Sequence, residues 1–265
     1  MKWWFAIALW QRVLGALVLG VIVGLAATQL AGADAASNFL ETYIKPVGDL
    51  FIRLIRMLIV PLILTTLVAG FVALGDPAKL GSIGIKTIIL YFATTFFANI
   101  IGIIFGLTFR PGAGVDLGGA DAVPVSTESE GLVSRLLSIV PDNPVAALAD
   151  GDVLAVIFFA VLLGIGILMA GKSGKMVGDL FTQAADVVLK VTHMVMEVAP
   201  FGVFALVSFT VADQGLEALR AIAILIAAVY AGLFTHAVLV YGGIIRLVLN
   251  LPVMNFVRGM LDAIA

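Results

Sequence analysis

Long uncharged runs divide the chain into segments of membrane-spanning length. A transmembrane helix needs about 20 apolar residues, and its backbone polar groups must be satisfied within the segment, which favours helices in lipid. The pattern therefore predicts an all-α polytopic membrane protein with six transmembrane helices. The predicted spans are residues 13–33, 57–75 (with the helix starting near residue 48), 87–108, 153–170, 187–212 and 221–245.

The composition agrees with this pattern and excludes several classes of protein. Of the 265 residues, 62% are apolar and 12% are charged, whereas a soluble domain is about 45–50% apolar and about 25% charged. The net charge of −2 offers no basic surface for a nucleic acid. The chain has no cysteine and two histidines, which disfavours thiolate and histidine-based metal sites. We expect neither a soluble enzyme nor a nucleic-acid-binding protein.

The N-terminal run could be a secretory signal peptide, because an alanine-rich stretch at residues 31–36 resembles a cleavage region. The apolar run is longer than an ordinary signal sequence, however, and Trp3, Trp4 and Trp10 precede it as an interfacial belt would. We therefore expect a retained first span.

The distribution of basic residues predicts the orientation. With the N-terminus inside, nine of the fifteen Lys and Arg residues lie on the inner side. The other six include Arg53 and Arg56, which fall within a predicted helix. The positive-inside rule therefore places both termini of a multi-pass plasma-membrane protein in the cytoplasm.

A polar stripe follows the third predicted span. Its members recur at intervals of three and four residues and so share one helix face: Thr87, Tyr91, Thr94, Thr95 and Asn99. In lipid such a face must turn toward protein or a water-filled site, where oxygen ligands suit a hard cation such as Na⁺. Alternatively, the threonines bond back to carbonyls of their own helix.

The second predicted helix carries Arg53, Arg56 and Pro61. Charged residues inside a span suggest a role in permeation, in anion attraction or at an interface. Because both arginines lie near one end, their long side chains could instead reach the membrane surface. Pro61 predicts a kink.

Three further polar residues share a face near the start of the fifth span: Lys190, His193 and Glu197. Their spacing allows local pairing, and we expect a self-neutralising face, with a proton relay as the alternative. His236 stands alone on the sixth apolar helix and is predicted to be a hydrogen-bonded interior histidine.

Glycine and proline mark contacts and breaks between these helices. Gly20 and Gly24 form a small-xxx-small pair suited to close helix contact. Residues 110–131 read as an external loop, with a short amphipathic segment at 131–140. Pro141 and Pro144 predict broken helical segments before the fourth span.

Several segments together resemble the dicarboxylate/amino acid:cation symporter family, the glutamate transporter homologues. The matching segments occur in the family's order and cover nearly the whole chain: YIKPVGDLFIRLIRMLIVPLIL (43–64), LGSIGIKTIILYFATTFFANIIGIIFG (80–106), IVPDNPVAALADGDVLAVIFFAVLLGIGI (139–167), VMEVAPFGVFAL (195–206), AAVYAGLF (227–234) and FVRGMLDAIA (256–265).

The resemblance implies a homotrimeric secondary active symporter in the lipid bilayer. Its substrate would be a small anion, an acidic amino acid or a C4-dicarboxylate, with Na⁺ or H⁺ as coupling ion and no other cofactor. By resemblance a mobile transport domain slides past a static scaffold like an elevator. A tyrosine and two hydroxyl residues of the third helix help to hold a cation in Na⁺-coupled members, and they match Tyr91, Thr94 and Thr95.

The same resemblance implies a division of the chain. Residues 1–75 would form scaffold helices 1 and 2, and residues 76–110 transport-domain helix 3. Residues 111–140 would form an extracellular loop and a short amphipathic segment. Scaffold helices 4 and 5 (141–212) would make the trimer contact, and residues 213–265 would form transport-domain helix 6 and the start of a first hairpin.

Family chains continue through two hairpins and two further helices that hold the substrate, so we expect the main substrate site beyond Ala265 and an incomplete symporter. Glu197 stands where relatives carry a neutral or basic residue. Two other hypotheses remain: a non-transporting membrane scaffold or assembly protein, and a channel lined by the polar stripe.

Overall fold

The described part of the chain is almost entirely helical and contains no β-strand. This computed structural model describes residues 7–75, 77–113, 132–248, 250–252 and 254. The all-α fold class is confirmed. In chain order the α-helices are α1 (Leu9–Ala31), α2 (Ala33–Tyr43), α3 (Lys45–Leu74), α4 (Pro77–Phe109), α5 (Leu132–Leu137), α6 (Pro144–Asp150), α7 (Val153–Met169), α8 (Lys175–Met196) and α9 (Ala199–His236). A 3-10 turn (Gly171–Ser173) joins α7 to α8, and π-helical turns (Ala237–Tyr241 and Ile244–Val248) follow α9.

Within the described ranges, five helical segments are long and apolar enough to cross a membrane. They are Leu9–Ala31, Lys45–Leu74, Gly84–Phe109, Ala199–Glu217 and Leu219–Leu247. Helix α7 is also apolar, but its 17 residues fall short of the about 20 that a full crossing needs. A protein with several membrane-spanning helices is confirmed, whereas the count of six stays a prediction.

Some sequence-based predictions lie outside the described residues. These are the interfacial residues Trp3 and Trp4, residues 114–131 of the external loop, and residues 255–265 at the start of the hairpin. The short helix α5 occupies part of the segment where an amphipathic piece was predicted.

The predicted break before the fourth span is confirmed, and two side chains cap the resulting helices. The Oδ1 atom of Asn143 accepts a hydrogen bond from the backbone N–H of Val145 at 2.9 Å, at the start of α6. Gly151 ends α6 with a φ of 74°, a left-handed conformation that glycine adopts without steric cost. The Oδ1 atom of Asp152 then accepts from Leu154 N at 3.1 Å and caps α7.

The fifth predicted span (187–212) is not one uninterrupted helix. Helix α8 ends at Met196, a turn occupies residues 197–198, and α9 begins at Ala199. The next residue, Pro200, has no N–H to donate to the carbonyl of residue 196, and its ring clashes there. The proline therefore stops α8 but fits in the first turn of α9. Helix α3, which corresponds to the second predicted span, by contrast continues as one helix past Pro61.

The chain divides into two compact units. Unit 1 contains Met1–Gly81 and Ala120–Gly215, and unit 2 contains Ser82–Gly119 and Leu216–Ala265. In unit 1, α3 packs along both α7 and α8. Val68 on α3 forms a buried cluster with Ala160 and Ile167 on α7, and Phe181 on α8 packs against this cluster.

Glycines let α1 approach the first part of α9 within unit 1. A Cβ atom added to Gly20 would lie 3.0 Å from the carbonyl oxygen of Phe204, and one added to Gly24 would lie 2.7 Å from that of Ser208. The close helix contact predicted for this glycine pair is therefore made with α9.

A second set of contacts in unit 1 ties α2 and the start of α3 to α9. The hydroxyl of Ser37 donates to Asp213 at 3.0 Å. The ammonium of Lys45 pairs with Glu41 at 3.0 Å and lies 4.4 Å from the ring centroid of Phe209. The α2 side chains Ala36 and Leu40 are buried in a cluster with Ala212 of α9.

Helix α9 passes from unit 1 into unit 2 at Gly215. The backbone of Gly215 is not helical there, with φ 72° and ψ −170°. Only glycine readily adopts this conformation, so the residue type permits the break.

Candidate functional site

The predicted cation-binding residues lie in unit 2, on α4, and they differ in their surroundings. Thr94 is buried, Thr95 is half-buried, and Tyr91 is 64% exposed. The Thr94 hydroxyl donates to the carbonyl oxygens of Leu90 at 2.9 Å and Tyr91 at 3.1 Å. The spacing of the stripe thus places the three residues near one another along the helix, but it does not give them one environment.

Other polar side chains of α4 also donate hydrogen bonds to carbonyl oxygens four residues earlier on the same helix. The amide of Asn99 donates to the Thr95 carbonyl at 3.0 Å, and the Thr108 hydroxyl donates to the Ile104 carbonyl at 2.7 Å. The alternative given for the threonines is therefore the arrangement observed at Thr94. A hydroxyl that donates to its own helix still presents an oxygen lone pair to a cation, so the two interpretations are compatible at this residue.

A cation at these residues would need further ligands. Na⁺ is a hard cation that prefers several oxygen atoms, and the described part of the chain has no group of three or more His, Asp or Glu residues placed to hold a metal ion. Binding of a cation by Tyr91, Thr94 and Thr95 stays a prediction.

Arg53, Arg56 and Pro61 all lie on the surface of α3. No carboxylate pairs with either arginine among the described residues. Arg53 lines a shallow hollow of about 300 Å³ with Pro46, Asp49 and Leu50. The oxygen of Pro61 accepts a hydrogen bond from the Thr65 hydroxyl at 2.8 Å. The structure brings the two arginines to one helix but to no shared site.

Glu197 pairs with a residue that the sequence analysis did not single out. Arg12 on α1 donates two hydrogen bonds to its carboxylate, from Nη1 to Oε2 at 2.5 Å and from Nη2 to Oε1 at 3.1 Å. These bonds lower the pKa of Glu197 below its ordinary value and outweigh the partial burial that raises it. The prediction of a local face shared with Lys190 and His193 is wrong in its pairing, since no ion pair joins either to Glu197 among the described residues.

Arg12 could have been noticed from one signal in the sequence. It is a single charge near the start of an apolar span, and Glu197 stands at the start of another. Because Pro200 allows a helix to begin there, both charges precede apolar helices that would enter the membrane from the same side, and such opposite charges are candidates for pairing.

His236 is not the satisfied histidine that was expected. Its Nδ1 atom is buried and has no hydrogen-bond partner among the described residues, and its ring meets that of Tyr241 edge-on at 4.9 Å. Both side chains line a cavity of about 430 Å³ within unit 2, which is otherwise mostly apolar.

Comparison with known proteins places these features in context. The model of the sodium:dicarboxylate symporter family matches residues 9–265. The chain is 36% identical over 246 residues to a proton/sodium-glutamate symport protein of Geobacillus stearothermophilus, covering 90% of this chain and 56% of the relative. It is 39% identical over 250 residues to a proton/glutamate-aspartate symporter of Escherichia coli, covering 90% and 56%. It is 36% identical over 240 residues to a C4-dicarboxylate transport protein of Rhodospirillum rubrum, covering 87% and 52%. The chain thus spans a little over half the length of these relatives.

Proposed function

Since the chain belongs to the sodium:dicarboxylate symporter family, a family of transporters rather than enzymes, we propose that it serves secondary active symport. The proposed substrates are acidic amino acids or C4-dicarboxylates, coupled to Na⁺ or H⁺, because the relatives are named for glutamate, aspartate and C4-dicarboxylates. The family match over residues 9–265 is the observation that carries this proposal.

The proposed mechanism is an elevator, in which unit 1 is the static scaffold and unit 2 belongs to the moving transport domain. The division of the chain at residues 81–82, 119–120 and 215–216 supports this assignment. So does the chemistry of the two units, because the stripe of Tyr91, Thr94 and Thr95 falls in unit 2 whereas the Arg12–Glu197 pair falls in unit 1. We propose that the stripe contributes to a coupling-ion site. The remaining ligands of that site would come from the part of the relatives that this chain does not cover.

The proposed assembly is a homotrimer in the prokaryotic inner membrane with cytoplasmic termini. Resemblance to the family supports the trimer. The excess of Lys and Arg on the side of the membrane that holds the N-terminus supports the orientation. The surface of α7 and α8 carries exposed apolar side chains, among them Leu162 and Leu180, that a neighbouring copy or lipid could cover.

Proteoliposome uptake tests the proposed function. The chain alone is expected not to accumulate labelled aspartate, glutamate or succinate. The same 265 residues joined to the remaining part of the Escherichia coli relative are expected to accumulate one of them when a Na⁺ or H⁺ gradient is applied. The matched control is the Escherichia coli relative with its own N-terminal part, joined at the same position.

Two outcomes would contradict the proposal. Coupled uptake by the chain alone would show that the matched half already holds the working site. A joined chain that folds but does not transport, while the rejoined control does, would favour the non-transporting scaffold instead. Cross-linking of the chain in mild detergent measures the trimer independently, and a monomer there would count against both the proposed assembly and the scaffold.

A further inference from the structure

One ion pair joins parts of unit 1 that are far apart in the sequence. Arg12 and Glu197 are 185 positions apart, and the Arg12 side chain is 5% exposed whereas that of Glu197 is 39% exposed. The other ion pairs of the described residues, Lys45–Glu41 and Arg220–Glu217, are local pairs within four positions. The Arg12–Glu197 pair is therefore the contact whose charges are held in place by tertiary structure.

The ion pair lies at the turn between α8 and α9 and at the start of α1. Glu197 occupies the turn between α8 and α9, and Arg12 lies in the first turn of α1. Beyond this point α1 meets α9 through Gly20 and Gly24. The ion pair thus marks the beginning of the surface along which α1 and α9 pack.

Glycine contacts alone do not fix how two helices are aligned lengthwise. They allow a close approach by van der Waals packing, but that packing has little directional preference. A guanidinium that donates two parallel hydrogen bonds to one carboxylate has a fixed orientation, and setting register is the best-attested role of such buried polar groups.

We propose that the Arg12–Glu197 pair is a clasp that anchors the start of α1 to the α8–α9 turn and sets the register between α1 and α9. Arg12 and Glu197 act here as positioning residues. The clasp is a property of unit 1 and holds whether or not the chain takes part in transport.

Distance measurements between two spin labels test the clasp in the full 265-residue chain in lipid nanodiscs. The chain has no cysteine, so labels attach only at introduced positions. We choose Leu14→Cys on α1 and Met194→Cys at the end of α8, since these side chains are 52% and 71% exposed. The labelled chain in which Arg12 and Glu197 are intact is expected to give a narrow distribution of distances between the labels. Both E197Q and R12Q are expected to broaden this distribution, and the charge swap R12E/E197R is expected to make it narrow again.

The matched control is E41Q, which removes one carboxylate from the exposed Lys45–Glu41 pair and should leave the distribution narrow. A narrow distribution in E197Q would overturn the proposal, as would a folded charge swap with a broad one. Far-UV circular dichroism reports folding of each variant. If E197Q fails to fold while the charge swap folds with a narrow distribution, the clasp is supported. If neither folds, the two positions act through packing and the proposal is overturned.

Discussion

The contact between α1 and α9 at Gly24 allows a substitution whose cost can be worked out from the structure. In Gly24→Ala the added Cβ would lie 2.7 Å from the carbonyl oxygen of Ser208 and 2.8 Å from the Cβ of Val211. Both neighbours are buried, and neither atom moves when a side chain changes rotamer. The helices must therefore shift apart, and overpacking of this kind costs about 1–3 kcal/mol.

Gly15→Ala is the matched control on the same helix, because nothing lies within 4 Å of a Cβ added there. Both substitutions gain about 1 kcal/mol of helix propensity, so this gain cancels when the two variants are compared. Gly24→Ala should thus be less stable than Gly15→Ala by about 1–3 kcal/mol.

The assay is unfolding by sodium dodecyl sulfate in mixed micelles, followed by far-UV circular dichroism for the native chain and both variants. Equal stability of the two variants would refute the reasoning, because it would mean that α1 and α9 do not touch at Gly24.

Three further predictions concern the capped helix, the ion pair and the polar stripe. Asp152→Ala should destabilise the chain by about 1 kcal/mol through loss of the cap on α7, whereas Asp152→Asn should retain most of the stability, as measured by the same unfolding assay. The pKa of Glu197 is lower in the folded chain than in the unfolded chain, so its pair with Arg12 stabilises fully above the unfolded value and ceases to do so as the pH falls through the folded value. The native chain should therefore lose stability on acidification in that window, and E197Q should show a flatter profile. In the joined transporter, Thr94→Val should weaken the apparent affinity for the coupling cation by about tenfold or more, whereas Thr108→Val, which also removes a hydroxyl bonded to its own helix, should not.

Each of these has a contrary outcome. Equal loss in Asp152→Ala and Asp152→Asn would assign the effect to charge rather than to capping. An E197Q profile as steep as the native one would place the acid sensitivity at other carboxylates. Equal cation affinity in the two threonine variants would remove Thr94 from the predicted site.

Local chemistry made much of the fold predictable. Asn143 and Asp152 sit just before helices whose N–H groups they cap, and prolines nearby cannot continue the preceding helix. Pro141 and Pro144 predict the breaks before the fourth span, and these breaks are observed, whereas the two caps were not predicted. Pro200 carries the same signal within the fifth predicted span, and the structure divides that span there.

Contacts across the sequence were beyond local reasoning. The spacing of Lys190, His193 and Glu197 describes one helix correctly, but it carries no information about which helix packs beside it. Arg12 reaches Glu197 because α1 lies against α9, and that arrangement depends on glycines at other positions. Likewise, a shared helix face does not determine burial. Thr94 is buried and Tyr91 is exposed, although both belong to the polar stripe.

The backbone at Gly215 has a mechanical consequence. A continuous helix acts as a stiff shaft, and a twist applied to one end reaches the other through its ladder of hydrogen bonds. With φ 72° and ψ −170°, Gly215 interrupts that shaft at the position where the chain leaves one unit for the other. The two parts of α9 therefore do not form one continuous shaft, and any residue with a Cβ atom at position 215 would strain the backbone conformation that separates them.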